Sequence, residues 1–298
     1  MAGVTDERES DDGRVAAVLA WGDAHLRTLP WRATRDPWAV LVSEVMAQQT
    51  GVERVVGYYH AFLDRFPTAA ACAAVPAGEV VRSWAGLGYN RRAVSLHRCA
   101  RAVVARHGGE LPADLGVLVA LPGIGPYTAR AVLAFAFERA VGVVDTNVGR
   151  VLARWEGRSL RQAEAQALAD DLVPPAGDPA WAWNQALMEL GGTVCRRRRP
   201  HCAECPARAW CGWAAVGMAA PDPADGSAGV STGQPRFEGS DRQGRGRLVE
   251  ALCRGPVPLA DVAAVMGWPD DPARVDRVAV GLLDDGLAVR DGDLLRLP

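Results

Sequence analysis

The chain contains no lysine, since all 33 of its Lys+Arg residues are arginine. Chemistry through a lysine Schiff base is therefore excluded, because no side-chain amine is present to form one. The sequence also lacks an excess of charge of either sign, with a formal net charge of −2 and a pI of about 6.2. Net charge alone thus gives no indication of a nucleic-acid partner.

Long apolar runs are missing as well, and no stretch of 18 or more apolar residues occurs. This predicts that the chain makes no membrane span. The N-terminus is acidic and polar, unlike a signal peptide, which predicts a cytoplasmic and nucleoid-associated protein. In that compartment the seven cysteines are expected to be metal ligands or buried thiols rather than disulfides.

The arginines are unevenly distributed along the chain. Residues 13–213 contain 23 Arg against 17 acids, whereas both flanking segments are acidic. Apolar residues make up 49% of the chain, enough for a sizeable core. A basic central body with acidic ends is compatible with DNA binding through one face.

The periodicity of the sequence predicts an all-α fold with a small additional domain at the C-terminus. We expect an acidic disordered N-terminus over 1–13, a helical domain over 14–213 and a linker over 214–240. Residues 241–298 contain three short helical stretches followed by two strand-like runs around Asp291-Gly292, a favoured hairpin turn. Three helices followed by a hairpin predict a winged-helix-like domain.

Four cysteines are crowded together in the pattern C-x6-C-x2-C-x5-C. They are Cys195, Cys202, Cys205 and Cys211. Four thiolates this close can ligate either zinc or an iron–sulfur cubane. Structural zinc more often uses two C-x2-C pairs, so the uneven spacing favours iron–sulfur, with zinc as the alternative and unligated structural cysteines as a third option.

Arg196, Arg197, Arg198 and Arg199 lie between the first two of these cysteines. Adjacent guanidinium groups repel one another unless an anion lies nearby. The functional interpretation is a phosphate-contacting loop held rigid by a metal cluster, and the simpler one is a solvated run of charge.

The segment Leu121–Ala129, with the sequence L-P-G-I-G-P-Y-T-A, joins two helical stretches. Gly123 and Gly125 permit unusual backbone angles and allow backbone N–H groups to approach a phosphate at the start of the next helix. This pattern predicts a DNA-gripping helix-hairpin-helix turn, whereas the plain alternative is an ordinary interhelical turn.

Together these motifs resemble the helix-hairpin-helix glycosylase superfamily that includes endonuclease III. Three further motifs resemble the A/G-specific adenine DNA glycosylase (MutY) family within it. They are Leu29-Pro30-Trp31-Arg32, Ser43-Glu44-Val45-Met46-Ala47-Gln48-Gln49-Thr50 and Gly86-Leu87-Gly88-Tyr89. The resemblance implies one 4Fe-4S cluster on the four cysteines. It also implies a monomeric, monofunctional base-excision enzyme that hydrolyses the N-glycosidic bond of adenine opposite 8-oxoguanine or guanine in double-stranded DNA.

The resemblance also assigns catalytic roles. Glu44 is expected to be the general acid, with burial favouring its protonated form, although a surface glutamate is the plain alternative. Asp145 is expected to stabilise the oxocarbenium ion, either electrostatically or by transient covalent attachment, and it also precedes a helix and fits an N-cap. Tyr127 stands where the bifunctional relatives carry their Schiff-base lysine, and Asn147 resembles a supporting group around Asp145.

For DNA contacts, the resemblance implies that Gln49 and Tyr89 wedge into the duplex beside the target base and its partner. The plain alternatives are a helix-surface amide for Gln49 and a core aromatic for Tyr89. The expected DNA-binding residues are Arg32, Gln48, Gln49, Thr50, Leu87, Tyr89, Gly123, Gly125, Arg196, Arg197, Arg198 and Arg199.

The C-terminal region departs from the family pattern. The usual member carries a Nudix-like domain that helps to recognise 8-oxoguanine, but residues 241–298 contain no Nudix box. The mode of lesion recognition and the partner of this segment are therefore left open. A winged helix often binds DNA, yet this one is acidic, so docking against the catalytic body or a protein partner are the alternatives.

Other functions compete with this interpretation. A thymine glycosylase for T·G mismatches or a lesion glycosylase of the endonuclease III type would be a sibling enzyme, which Gln48, Gln49 and Tyr127 disfavour. From a different class, a non-catalytic DNA-binding iron–sulfur protein or a helical protein with structural zinc would share the cysteines. Glu44 and Asp145 at their motif positions favour an enzyme.

Overall fold

The structure, a computed structural model, describes residues 2–228 and 236–298. Helices dominate it, as predicted. In chain order the α-helices of the described residues are α1 (Ala2–His25), α2 (Pro37–Ala47), α3 (Val52–Arg65), α4 (Ala69–Ala73), α5 (Ala77–Ser83), α6 (Arg91–His107), α7 (Leu115–Val119), α8 (Pro126–Phe135), α9 (Thr146–Glu156), α10 (Gln162–Leu172), α11 (Asp178–Thr193), α12 (Gly212–Ala215), α13 (Asp241–Arg254), α14 (Val262–Met266) and α15 (Pro272–Asp284).

Local sequence explains several of the helix boundaries. Aspartates cap α2, α7, α9 and α15, because each carboxylate accepts backbone N–H groups that have no partner within the helix. Helices α6 and α9 end at Gly108 and Gly157, which take the left-handed conformation that glycine adopts without strain.

The chain divides into two compact units, each built from two separate segments. The first unit comprises the described residues of Met1–Arg35 and Pro126–Gly233, and the second those of Asp36–Gly125 and Gln234–Pro298. The first unit thus contains α1 and α8 to α12. The second contains α2 to α7, α13 to α15 and the sheet.

The core of the first unit is formed by α1, α9, α10 and α11. Trp155 and Trp183 are almost fully buried there, with ring centroids 6.4 Å apart. Helices α1 and α11 approach closely at Gly22, where a Cβ atom would lie 2.6 Å from the Cβ of Ala186. A larger residue at position 22 would therefore force these two helices apart.

Aromatic rings fill the core of the second unit. Phe62 packs edge-on against Phe66 and Trp84, with centroids 5.0 and 6.0 Å away. The indole N–H of Trp38 donates to the carbonyl oxygen of Phe66 at 2.9 Å, which satisfies the polar atom of a buried ring. These contacts fix α2 against α3, and α2 carries Glu44.

The C-terminal segment contains a three-stranded antiparallel sheet as well as three helices. Its strands are β1 (Val257–Pro258), β2 (Val289–Asp291) and β3 (Leu294–Arg296), in the order β1-β3-β2. The hairpin predicted around Asp291-Gly292 joins β2 and β3, and Gly292 has a φ of 59°. The sequence missed β1, because a two-residue strand containing proline has no readable alternation.

This segment packs within the second unit against α5 and α6. Gly78 of α5 donates its N–H to the carbonyl oxygen of Pro298 at 2.7 Å, and a Cβ at position 78 would lie 2.8 Å from that of Leu297. Asp285, which follows α15, pairs with Arg91 of α6 at 3.4 Å. Of the alternatives considered for the acidic segment, docking on the helical body is therefore the arrangement seen.

The segment predicted to be a flexible linker differs from that expectation over residues 214–228. Asp222 forms an ion pair with Arg154 at 2.5 Å, Ala228 donates its N–H to the carbonyl oxygen of Leu160, and Ser227 is buried. Its small and polar composition, which suggested a linker, instead allows it to lie closely on α9. The rest of the predicted linker includes residues 229–235, which lie outside the described residues.

The N-terminus also differs from its prediction, since residues 2–13 were expected to be disordered and have helical backbone in α1. No proline precedes Pro30.

Among the described residues, no helix is both long and apolar enough to cross a membrane.

Candidate active site and cysteine loop

Glu44 lies in the most continuously buried helix of the second unit. Every residue of α2 from Trp38 to Met46 is buried, and Glu44 itself is 8% exposed. The helix is fixed at its start by Asp36, whose carboxylate accepts from the N–H groups of Trp38 and Ala39. The alternative of a surface glutamate is thus excluded by the packing of α2.

Arg92 fixes the end of α2, which is where the Gln48-Gln49-Thr50 segment begins. One guanidinium nitrogen donates to the carbonyl oxygens of Val45, Met46 and Gln48 at 2.9, 2.8 and 2.6 Å. These carbonyls lie at the C-terminal end of the helix, where the last C=O groups have no backbone N–H partner within the helix. Arg92 is buried, and burial lowers its pKa to about 10, so it remains charged at neutral pH.

The same arginine holds the Gly86–Tyr89 turn. Its second terminal nitrogen donates to the carbonyl oxygen of Gly88 and to the hydroxyl of Thr50, both at 3.0 Å. A single side chain therefore joins the two motifs that were predicted to enter the duplex. We call this set of contacts the Arg92 clamp.

Gln49 and Tyr89 both adopt positive φ angles, of 56° and 49°. The backbone of a residue other than glycine is strained in this region, and such strain persists only where surrounding contacts impose it. Both side chains are exposed, Tyr89 by 40%. The Arg92 clamp thus holds Gln49 and Tyr89 in strained backbone conformations while both side chains stay exposed. It also joins the motif that contains Gln49 to the motif that contains Tyr89.

Asp145 caps α9 in the first unit, as the sequence allowed. Its carboxylate accepts from the N–H groups of Asn147 and Val148 at 2.8 and 2.7 Å and from the side-chain amide of Asn147 at 2.9 Å. Burial raises the pKa of Asp145, and these three hydrogen bonds together with the charge of Arg150 act against that rise. The carboxylate is therefore held in one orientation by donors that favour its ionised form.

Asn147 is itself positioned by neighbours that the sequence did not reveal. Arg150 donates to its side-chain oxygen at 2.8 Å, and also to the carbonyl oxygens of Gly191 and Cys195 at 2.6 and 2.8 Å. Helix α11 reaches Asn147 through Gly191, where a Cβ would lie 2.7 Å from the Cβ of Asn147. Asp145 and the first cysteine of the loop are thus connected through Asn147 and Arg150.

The four clustered cysteines line one cavity in the first unit. Cys195, Cys202, Cys205 and Cys211 surround it together with Arg154 and Trp213. All four are free thiols. Burial raises the pKa of Cys205 to about 12, and the other three cysteines add to that rise. Burial also raises the pKa of Cys195 and Cys211. A cationic centre in the cavity would stabilise the thiolate forms of such buried cysteines.

In the part of the chain that the structure describes, no three His, Cys, Asp or Glu side chains are arranged to hold a metal ion. The fold therefore brings the predicted ligands around one cavity but does not place them in a ligand geometry.

Arg154 is almost fully buried beside this cavity. It donates to the sulfur of Cys195 at 3.3 Å and to the carbonyl oxygen of Arg196 at 2.8 Å, and it is paired with Asp222. Its guanidinium lies 4.6 Å from the ring centroid of Trp213. Arg154 therefore fixes both the first cysteine and the start of the arginine run.

The remaining predicted DNA-binding residues occupy different environments. Arg196 to Arg199 are exposed on the loop, and Gly123 and Gly125 are exposed in the hairpin turn. Gly123 has a φ of 77°, and open space surrounds Gly125. Such a turn allows close backbone approach to a phosphate.

Leu87 and Arg32 face the protein interior instead. Leu87 is 4% exposed. Arg32 pairs with the buried carboxylate of Glu189 at 2.7 Å and donates to the side chain of Gln185, also at 2.7 Å. Leu87 therefore packs in the protein interior, and Arg32 is held by partners within the protein.

Tyr127 lies half-buried in the first turn of α8, within the same unit as Asp145. Glu44 belongs to the other unit.

The residues missed by sequence reasoning are the buried arginines Arg92, Arg150 and Arg154. The available signal was arginine on otherwise apolar helix faces, including the i, i+4 pair on α9.

Comparison with known proteins agrees with these motifs. A family model described as HhH-GPD superfamily base excision DNA repair protein matches residues 42–175. The chain is 41% identical to an adenine DNA glycosylase from Mycolicibacterium smegmatis (strain ATCC 700084 / mc(2)155), over 93% of this chain and 92% of that protein. It is 42% identical to an adenine DNA glycosylase from Homo sapiens, over 65% of this chain but 38% of that protein.

Solved structures share the fold. A thermostable thymine-DNA glycosylase superimposes with a TM-score of 0.65 and 28% identity, over 70% of this chain and 99% of that one. A trapped endonuclease III–DNA covalent intermediate gives a TM-score of 0.60, over 74% of this chain and all of that one, and at 23% identity it supports the fold alone. The resemblance to the helix-hairpin-helix glycosylases is confirmed, and the chain belongs to the adenine DNA glycosylase family of the HhH-GPD superfamily.

Proposed function

We propose that this protein is a monofunctional DNA glycosylase that releases adenine opposite 8-oxoguanine or guanine in double-stranded DNA. The observation that carries the proposal is Glu44, a carboxyl group buried in α2 within a motif of the family to which the chain belongs. The relatives named adenine DNA glycosylase support the choice of base.

In the mechanism that we propose, Glu44 donates a proton to a ring nitrogen of the flipped adenine. The C1′–N9 bond then breaks, and its electron pair leaves with the base. Asp145 stabilises the resulting oxocarbenium ion through its negative charge, which its three N–H donors favour. Water adds to C1′, and Glu44 takes its proton, so that the acid is regenerated.

Strand cleavage is not part of this reaction. Tyr127 stands in the place of the Schiff-base lysine, and the chain contains no lysine to supply a substitute. The product is therefore an abasic site in an intact strand, which hot alkali cleaves and enzyme alone does not.

We propose that Cys195, Cys202, Cys205 and Cys211 hold one 4Fe-4S cluster. Their position around a single cavity and the cationic Arg154 beside Cys195 support it, because an anionic cluster is stabilised by a positive neighbour. When bound, the cluster supplies a rigid link between the two ends of the loop. The exposed Arg196 to Arg199 then contact phosphates of the DNA backbone. Metal analysis should find about four iron atoms per chain, and zinc alone would contradict this assignment.

For domain organisation, we propose a glycosylase domain over 14–213 and a winged-helix-like domain over 241–298. Residues 214–240 connect them, and 214–228 of these pack on the glycosylase domain. As a repair enzyme of chromosomal DNA, the protein is proposed to act as a cytoplasmic, nucleoid-associated monomer.

The test is base release from duplexes that contain A opposite 8-oxoguanine, A opposite G, T opposite G, or thymine glycol opposite A. We expect release of adenine from the first two. Glu44→Gln should lower the rate by about 100-fold or more while DNA binding persists, because the variant keeps the shape and loses the proton. Cleavage only at T opposite G would instead place the activity with the thymine-DNA glycosylases.

A further inference from the structure

Residues 141–144 lead directly into Asp145, and their valines give them the apolar, β-branched composition of a buried strand. In the part of the chain that the structure describes, no strand pairs with them, since all three strands belong to the C-terminal segment. Val143 and Val144 are nevertheless buried. Buried backbone N–H and C=O groups need hydrogen-bond partners, so this segment must find them outside a sheet.

Helix α11 supplies one set of partners through Asn184, which is 1% exposed. Its side-chain oxygen accepts from the N–H of Val143 at 2.9 Å. Its side-chain nitrogen donates to the carbonyl oxygens of Val141 and Ala180 at 3.1 and 2.9 Å. The side-chain amide therefore takes the place of a neighbouring strand, because it offers both a donor and an acceptor to the same stretch of backbone.

Helices α8 and α10 supply the partners of Gly142. Asp170 accepts its N–H at 2.8 Å, and Gln166 and Arg130 donate to its carbonyl oxygen at 3.0 and 3.3 Å. Arg130 and Asp170 also pair with each other at 2.6 Å. Four side chains from three helices thus hold the segment before Asp145. We call them the side-chain brace, which consists of Arg130, Gln166, Asp170 and Asn184.

The place of the brace in the chain indicates what it controls. Its contact nearest to Asp145 is at Val143, two residues earlier. On the other side of Asp145, the first N–H groups of α9 orient the carboxylate. The brace instead fixes the backbone from which that carboxylate projects. Stabilisation of a cation by a carboxylate depends on the distance between the two charges, so it depends on where this backbone lies.

We infer that Asn184 and Asp170 are positioning residues that hold Asp145 at the distance from the sugar at which it stabilises the oxocarbenium ion. This inference rests on the proposed function, in which Asp145 has that role. Both residues act through the backbone of residues 141–143 and not on the substrate. A displacement of a reacting group by about 1 Å costs up to about 100-fold in rate, so a modest shift of Asp145 is measurable.

The test compares two duplexes that contain no base to release at the target position. One carries a pyrrolidine analogue of the sugar, whose protonated nitrogen mimics the charge of the oxocarbenium ion, and the other carries the neutral tetrahydrofuran analogue. Fluorescence anisotropy at one salt concentration gives a Kd for each, and the ratio measures stabilisation of the charge. We expect Asn184→Ala and Asp170→Ala each to reduce the preference for the cationic analogue by about tenfold. Asp170→Asn keeps an acceptor for the N–H of Gly142 and should retain the preference.

Matched variants separate positioning from a general loss of structure. Asp171→Ala is the control, because it removes the same charge from the next residue of α10, which is exposed. Thermal denaturation of each variant reports whether it is folded. The side chain of Asp170 is 37% exposed, so its variants carry the test where replacement of the buried Asn184 prevents folding.

An unchanged ratio in Asp170→Ala would overturn the inference. So would an equal loss of affinity for both analogues, which indicates a structural role alone, or a parent protein that does not prefer the cationic analogue. Adenine release by the unmodified protein tests the proposed function separately. No release of adenine, together with a preference for the cation that the brace variants lose, would contradict the proposed substrate and leave the positioning role in place.

Discussion

Replacing Arg92 with methionine removes the guanidinium that joins the end of α2 to the Gly86–Tyr89 turn, while keeping an unbranched side chain of similar length. The carbonyl oxygens of the buried residues Val45 and Met46 then lose their donor. A buried acceptor left without a partner costs about 1–3 kcal/mol, so we expect a loss of about 2–6 kcal/mol in the free energy of unfolding. This is a large part of the stability of a typical domain.

A second consequence concerns function. Gln49 and Tyr89 keep positive φ angles only while surrounding contacts impose them, and the Arg92 clamp supplies those contacts. Arg92→Met should therefore weaken binding to a duplex with a mispaired adenine more than binding to a fully paired duplex. Arg92→Lys keeps the charge but not the branched donor geometry, so it should recover only part of both losses.

The assays are urea denaturation, followed by helical circular dichroism, and fluorescence anisotropy with the two duplexes. Arg101→Met serves as the control, since Arg101 is an exposed arginine on the same helix, α6. A loss of less than about 1 kcal/mol in Arg92→Met, combined with unchanged preference for the mispaired duplex, would refute the clamp.

Three further outcomes follow from the first unit. Asn147→Ala removes a donor that favours ionised Asp145, so the acid limb of the rate of adenine release should move to higher pH in single-turnover measurements. Gly191→Ala places a Cβ 2.7 Å from that of Asn147, and overpacking of this kind should lower the free energy of unfolding by about 1–3 kcal/mol. Asp222→Asn leaves the buried charge of Arg154 without its carboxylate partner. This change should lower the free energy of unfolding by about 3 kcal/mol in urea denaturation.

Matched variants give these measurements their controls. Gly192→Ala changes the next residue of α11, where the nearest atom is a flexible arginine tip 3.8 Å away, and should be nearly neutral. Asp225→Asn removes the same charge as Asp222→Asn from an exposed position. An acid limb that stays in place, or a control as unstable as its test variant, would contradict the corresponding geometry.

The parts of the protein that the sequence determined are those set by local pattern. Apolar periodicity predicted the helical body, and the Asp291-Gly292 turn predicted the C-terminal hairpin, because both depend on residues a few positions apart. The spacing of the four cysteines predicted that they come together, and the structure places all four around one cavity. The motifs around Glu44 and Asp145 located the candidate catalytic residues directly.

Tertiary structure decided what depends on distant contacts. Arg92 reaches carbonyls more than 40 positions away, and Arg154 meets Asp222, 68 positions away, so neither role is visible in a local window. Leu87 was expected at the DNA and is buried, because packing rather than motif position sets exposure. The docking of the C-terminal segment on α5 and α6 follows from complementary surfaces that form only once each element has folded, and this is the physical reason why the sequence alone left its partner open.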